Sequence, residues 1–374
     1  MNRPRIDQTN ATAADQTERR RFLQQLAAMA GTPALGALLA NPAWAAANLD
    51  VLASPSPLSK PALALFESRT QINVRGMPYV SPTNSVATLL AGNTPLSMVI
   101  TLPDGVKSNF AAAISSKRIQ PFDMAKIPNA KSIAPVFKND FMRQGDKTYA
   151  VPVIWGYNGV VYNRKLIKDN DPALKSWGIL FDDKFKGKVA IRDDALEMII
   201  LTARFLGHPA PHKMTAKELA DVKKFLISKK GNFRTLWSKF AEAMQLMTGG
   251  EVTAMYGWLT MKSSLQKQGA DVGCNQPKEG LLFWVQSAFL TGNATEVEAA
   301  HKFVDFLLSS QNGQIMTLGT GVPSPSLLAK NALSAEDQKL YGYDILSGKV
   351  ALTQVTPPED MAPWLQAWAE FKNA

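Results

Sequence analysis

LDVLASPSPLSKPALALFESRTQINVRGMPYVSPTNSVATLLAGNTPLSMVIT, residues 49–101, is the stretch that decides the fold class. It holds three short apolar runs of strand length, LDVLA at 49–53, QINVR at 71–75 and SMVIT at 97–101. Residues 59–69 and 83–90 between them carry helical patterns. Strand, helix and strand in that order predict parallel strands with helices packed on the sheet, an α/β architecture.

The alternation continues outward. Residues 149–154, 159–162, 189–191, 252–256 and 281–289 read as strands, and the run at 189–191 leads into a helix through Glu197. Helical patterns begin at Val106 and cover 215–228, 237–248, 295–308 and 359–372. In 237–248, Trp237, Phe240, Ala241, Met244 and Met247 share one face by 3–4 spacing, and Gly249-Gly250 stops the helix. Val297, Ala300, Val304 and Leu307 align in the same way, as do Trp364 and Trp368. The pattern runs through two domains' worth of chain without a repeat or a low-complexity linker.

The chain has 374 residues, 46% of them hydrophobic and 19% charged, enough for a sizeable core and about two domains. Its formal net charge is +10. Five Arg against three acids in residues 1–45 leave about +8 for the rest. The Lys residues are scattered and do not alternate with aromatics, so no nucleic-acid partner is expected. The single cysteine, Cys274, excludes an internal disulfide and a cysteine-held iron–sulfur cluster. Of the three histidines, His208 and His212 sit in His-Pro-Ala-Pro-His, where proline prevents the helical spacing that would aim both rings at one ion. No metal and no cofactor is expected.

Residues 1–45 read as an address. Arg19-Arg20-Arg21-Phe22-Leu23 precedes an Ala- and Leu-rich run at 26–39, and Ala43-Trp44-Ala45 forms a small-x-small cleavage pattern. The Arg-Arg-x-Phe-Leu core resembles the twin-arginine export signal, and an ordinary secretion signal with an Arg-rich start is the other reading. Cleavage is expected after Ala45. No later apolar run is long enough to span a bilayer. Twin-arginine export raises an oxidoreductase as a rival, but there is no cysteine cluster and no Gly-rich nucleotide fingerprint.

Six segments are similar in order and spacing to the spermidine/putrescine-binding protein family, the periplasmic components of polyamine ABC importers. They are residues 149–163 (YAVPVIWGYNGVVYN), 185–197 (FKGKVAIRDDALE), 248–258 (TGGEVTAMYGW), 277–287 (PKEGLLFWVQS), 300–309 (AHKFVDFLLS) and 319–325 (GTGVPSP). The resemblance covers residues 140–330 well and 48–140 weakly. It implies the type II periplasmic-binding-protein fold, with two lobes, a central ligand cleft and several hinge crossovers. One lobe is expected to hold residues 46–157 and 285–328, the other 158–284 and 329–374. Crossings are expected near 156–158, 281–284 and 327–330. The lobes would close on a ligand by hinge motion, as a monomer that serves a membrane permease.

Asp193-Asp194-Ala195-Leu196-Glu197 is the most informative cluster. Asp194 and Glu197 lie three apart, so both can project from the first helical turn. A desolvated cation needs such carboxylates, and the resemblance implies that they hold a ligand ammonium. An N-cap Asp followed by a Glu explains the same residues structurally. Trp258 and Trp284 match tryptophans that sandwich an aliphatic ligand in the family, where methylene groups and an ammonium both suit an indole face. Each can equally be core. Trp155 and Tyr157 at the first crossing line the cleft or pack the hinge. Ser238 opens a helix and either contacts ligand or caps. Paired carboxylates also occur in glycosidases, but a helix-start Asp-x-x-Glu is too common to indicate a hydrolase.

Three departures bear on the ligand. The first strand runs into Ala53-Ser54-Pro55-Ser56-Pro57, without the family's aromatic and acidic patch. Thr101-Leu102-Pro103-Asp104 replaces a Ser and a Tyr offered after the third strand. An acidic amine-binding position has become Gln286. Carboxylates therefore remain mainly at one end. A small amine-bearing ligand is expected, and a zwitterion such as an ω-amino acid or aminophosphonate, its anionic end met by Arg192, Ser54 or Thr101, is the alternative.

Overall fold

Local chemistry sets the first elements. Asn48–Ala53 is strand β1, and the helix Lys60–Thr70 follows, with Pro61 in its first turn. The helix Pro82–Ala91 starts where the Ser81 hydroxyl accepts the Asn84 N–H at 3.1 Å, and ends at Gly92, whose φ of 69° suits glycine. The computed structural model describes residues 47–79, 81–137 and 142–374. The expected export signal and its cleavage site lie outside the described residues.

The remaining strands are β2 (Asn73–Pro78), β3 (Met98–Thr101), β4 (Ile119–Gln120), β5 (Arg143–Gln144), β6 (Lys147–Thr148), β7 (Val151–Asn163), β8 (Val189–Arg192), β9 (Phe233–Trp237), β10 (Ala254–Trp258), β11 (Val272–Cys274), β12 (Leu281–Thr291) and β13 (Leu352–Gln354). Eleven strands form one mixed sheet. Its main path is β2-β1-β3-β12-β7-β10-β8-β9, with β4 and β13 on β12 and β11 on β7. β1 pairs parallel with β2 and β3, and β8 pairs parallel with β9 and β10. The long strands β12 and β7 join these two parallel groups through antiparallel ladders.

Two large hydrophobic cores flank that junction. The first gathers Leu49, Val51 and Ala53 of β1, Met98 and Ile100 of β3 and the helix Val297–Leu307. Leu52 and Val99, on the other sheet face, join a smaller cluster with Leu89 and Phe289, so this part of the sheet is covered on both sides. The second core holds β8, β10 and the helices Ala195–Phe205 and Ala216–Lys229, and the C-terminal helix Ala362–Asn373 closes it with Trp364, Trp368 and Phe371.

β7 spans both cores. Val153, Trp155 and Tyr157 lie in the first, and Val160, Val161 and Tyr162 in the second. Thirteen extended residues reach about 43 Å, long enough to cross the seam between them. This two-lobed α/β arrangement is the fold class that the sequence predicts.

One expectation is corrected. Trp237 is not on a helix: it ends β9, paired with Arg192 of β8, and the helix runs over Phe240–Thr248. A short strand followed at once by a helix mimics a longer helix by spacing alone. Beyond the expected crossing at 327–330, the chain still packs in the first core. Leu333, Tyr341, Tyr343 and Ile345 pack in the first core, and Val355 is in the second. Gly313 explains part of this, because a Cβ there would overlap Ala329; its absence lets the helix Leu327–Asn331 pack onto Ser310–Thr320.

Candidate functional site

β8 delivers Arg192 and then turns into a helix. The Asp194 carboxylate caps that helix by accepting the Glu197 N–H at 2.9 Å, which fixes both acids in the first turn. The third acid, Asp193, takes another direction. It accepts the Trp368 indole N–H at 2.7 Å and the Lys372 ammonium at 3.1 Å, and so anchors the C-terminal helix.

Glu197 is the hub. Its Oε2 accepts from Arg192 Nη1 at 2.7 Å and from the Tyr256 hydroxyl at 2.9 Å; its Oε1 accepts from Asn158 Nδ2 at 3.1 Å. Arg192 also lies 3.4 Å from Asp194 Oδ2. Burial pushes the Glu197 carboxyl above the usual range against the pull of Arg192, and the neighbouring Asp194 adds to the rise. Burial opposes the Arg192 charge, but Glu197 and Asp194 outweigh it and hold the guanidinium above its ordinary value. The Tyr256 phenol is raised well above its own, by burial first and by Glu197 second.

Trp258 ends β10 and walls this cluster. The Arg192 guanidinium carbon stands 4.8 Å from its ring centroid, within cation–π range. Trp237 meets the same indole edge-on at 5.4 Å, and Phe240 stacks on it at 6.2 Å.

On β12, Trp284 donates its indole N–H to Asn158 Oδ1 at 3.2 Å. Asn158 thus links Glu197 to Trp284 across the seam. The Trp284 ring lies over Gly156, where any Cβ would overlap it. Gln286 is two residues farther, on the same strand face and about 7 Å along. It donates to the Tyr79 hydroxyl at 2.8 Å and accepts from the Ser54 hydroxyl at 3.0 Å. Burial raises the Tyr79 phenol, while its hydrogen bonds to Ser54 and Gln286 oppose the rise. The site therefore has a charged end at Arg192, Asp194 and Glu197, an indole at Trp284, and a neutral polar end at Ser54, Tyr79 and Gln286.

Asp194, Glu197, Trp258, Trp284, Gln286 and Ser54 thus come together along the seam. The other four expected site residues do not join them. Trp155 and Tyr157 alternate with Gly156 and Asn158, and so point to the opposite sheet face. Trp155 is fully buried against Phe137 at 4.8 Å and donates its indole N–H to the Ser324 carbonyl at 3.0 Å. Tyr157 is core as well, packed against Gly342. Thr101 is fully buried, and its hydroxyl is spent on Ser85 at 2.6 Å. Ser238 is exposed and lies before the cap of its helix; its backbone N–H donates to Glu242 at 3.1 Å.

Sequence reasoning missed Asn158, Tyr256 and Tyr79. Asn158 is a polar residue in an otherwise apolar run, and Tyr256 shares its strand face with Trp258, so both carried a signal. Tyr79 follows β2 in an irregular segment with none. Asp104 is a further buried acid, raised by burial, which accepts from Gln354 at 2.7 Å and Thr356 at 3.3 Å, with Lys107 lowering it from nearby. Two surface depressions, of about 310 and 360 Å³, lie elsewhere, beside Lys330 and Asp344 and beside Arg69 and Lys302.

Comparison with known proteins gives a consistent picture. The sequence model of the family described as bacterial extracellular solute-binding protein matches residues 62–340. The chain is 26% identical over 238 residues to spermidine/putrescine-binding periplasmic protein 1 of Haemophilus influenzae, covering 61% of this chain and 63% of the relative. It is 28% identical over 228 residues to the spermidine/putrescine-binding periplasmic protein of Escherichia coli K12, covering 60% and 63%. The chain thus spans less than two thirds of the length of these relatives. The putrescine/agmatine-binding protein of Pseudomonas aeruginosa is 22% identical over 298 residues, covering 73% of this chain and 77% of that protein. The fold is similar to the spermidine/putrescine ABC transporter substrate-binding protein of Streptococcus pneumoniae, with a TM-score of 0.73, 19% identity, and coverage of 88% and 99%. It is also similar to an ABC transporter substrate-binding protein of Bradyrhizobium japonicum, with a TM-score of 0.68, 18% identity, and coverage of 87% and 99%.

Proposed function

We propose, since this chain belongs to the bacterial extracellular solute-binding protein family, that it captures a small amine-bearing solute between two lobes and delivers it to the permease of an ABC importer. The observation that carries this reading is the placing of Glu197 and Asp194 beside Trp258 at the seam between the cores. A desolvated ammonium requires carboxylates, and its methylene chain favours an indole face. Trp284, in the middle of the site, supplies the second indole. Ser54, Tyr79 and Gln286 supply hydrogen bonds at the far end.

The curated relatives are polyamine-binding by name, which supports an amine as the recognised group. We place the protein in the periplasm, exported by the twin-arginine-like signal and cleaved near Ala45. It works as a monomer there, without cofactor or turnover. The lobes divide at β7 and β12, with residues 46–157 and 285 to about 345 in one and 158–284 and the C-terminal helix in the other. Asn158, at the handover on β7, ties Glu197, Tyr256 and Trp284 together beside the boundary, which makes it a pivot for closure.

Titration calorimetry with a panel of amines tests this reading. Binding is expected for at least one amine, with the ligand recovered unmodified. Absence of binding across the panel, or chemical conversion of the ligand, would overturn it.

A further inference from the structure

The acids that the proposed function assigns to a ligand ammonium already hold a cation of the chain itself. Arg192 Nη1 is 2.7 Å from Glu197 and 3.4 Å from Asp194, and its guanidinium lies 4.8 Å from the Trp258 centroid. Those are the contacts that an incoming ammonium would make: two carboxylates and an indole face. The pairing is not a surface accident. Arg192 is only 26% exposed and Glu197 12%, so the pair is screened little by solvent.

We infer that Arg192 is a built-in counter-cation that sets the charge accepted by the site to one positive unit, so that singly charged amines are preferred over diamines. The inference rests on the amine-binding reading above and narrows it. Two carboxylates and one guanidinium leave a net charge of −1 at this end. One ammonium neutralises that remainder, sharing Asp194 and Glu197 with the guanidinium.

Among the described residues, no second anion is placed at the far end. Gln286 is 7% exposed and spends its amide on Tyr79 and Ser54, all of them neutral. Asp104 is buried and satisfied by Gln354 and Thr356, with Lys107 nearby. Asp193 is held by Trp368 and Lys372. A second ligand ammonium would thus be desolvated without a carboxylate, which is costly. A hydroxyl in the same place would exchange hydrogen bonds with Ser54, Tyr79 and Gln286 at no charge penalty.

The test compares two ligands of matched length, 4-amino-1-butanol and 1,4-diaminobutane, by calorimetry at one salt concentration. Wild type is expected to bind the amino alcohol at least tenfold more tightly. In Arg192→Gln that ratio should shrink at least tenfold in favour of the diamine, because the acid pair regains its full charge. Arg192→Lys keeps the charge, is the more conservative change for folding, and should preserve the wild-type preference. A wild type that binds the diamine as tightly as the amino alcohol overturns the inference and leaves the amine-binding reading intact. So does a ratio unchanged in a folded Arg192→Gln. If neither ligand nor any other amine binds wild type, the amine-binding reading itself falls and this inference with it.

Discussion

Glu197 concentrates the chemistry of the site in one carboxylate. It touches Arg192, Tyr256 and Asn158, and burial raises its pKa. Two predictions belong to it. Glu197→Gln should weaken amine binding at least tenfold, about 1.4 kcal/mol, with an unchanged circular dichroism spectrum. Calorimetry between pH 7.5 and pH 5 should also show affinity falling on acidification, earlier than an ordinary glutamate would produce. The sign follows from the raised pKa. The ligand ammonium stays protonated throughout this range, while the carboxylate gains a proton as pH falls through its elevated value and loses its attraction. In Glu197→Gln this pH dependence should disappear. Trp258→Ala should also weaken binding at least tenfold, since it removes the indole wall shared by Arg192 and ligand. Unchanged affinity in both variants would remove this site assignment. Asp194 and Glu197 were legible at this scale because helix-start carboxylates three residues apart are a local pattern. The Arg192 pairing was not: Arg192 is five residues from Glu197, and only the turn from β8 into the helix aims its guanidinium back over the acids.

Elements decide which of these side chains can meet. β7 presents Gly156 and Asn158 on one face and Trp155 and Tyr157 on the other, and the strand's period of two leaves no choice. The crossover reading left Trp155 and Tyr157 either in the cleft or in the packing of the hinge; alternation decides for packing and assigns the cleft face to their neighbours. Gly156→Ala tests the arrangement. The added Cβ would overlap the Trp284 ring, so stability should fall by about 1–3 kcal/mol, with a changed tryptophan fluorescence spectrum. A variant as stable as wild type, with unchanged fluorescence, would show that Trp284 does not rest on Gly156. Asp193→Ala tests the division of labour among the acids. It frees Trp368 and Lys372 and should destabilise the protein by about 1.5–3 kcal/mol in urea unfolding, with amine affinity unchanged. A large loss of affinity instead would mean that Asp193 belongs to the site.

At the scale of the whole molecule, the proposed function makes ligand binding and lobe motion one equilibrium. A ligand that contacts Glu197 from one side and Gln286 from the other favours the closed form by its extra contacts there. A bound amine should raise the thermal midpoint with concentration and reduce the radius of gyration seen by small-angle X-ray scattering. Binding without any change in scattering would argue against closure. The α/β class, the opening run of β1, β2 and β3 with the helices between them, and the acids at the start of the helix Ala195–Phe205 were determined by the sequence alone, whereas β9 was hidden in a helical spacing and β7 was read as two strands. The features so determined arise from periodicity and capping within a few residues, where neighbours in the chain are neighbours in space. Only the tertiary structure decided that Gln286 meets Ser54 and Tyr79, more than 200 residues away in sequence, that Trp155 and Thr101 are core, and that Arg192 occupies the acid pair. Those outcomes depend on sheet order, strand facing and the path of a turn, none of which a local pattern encodes.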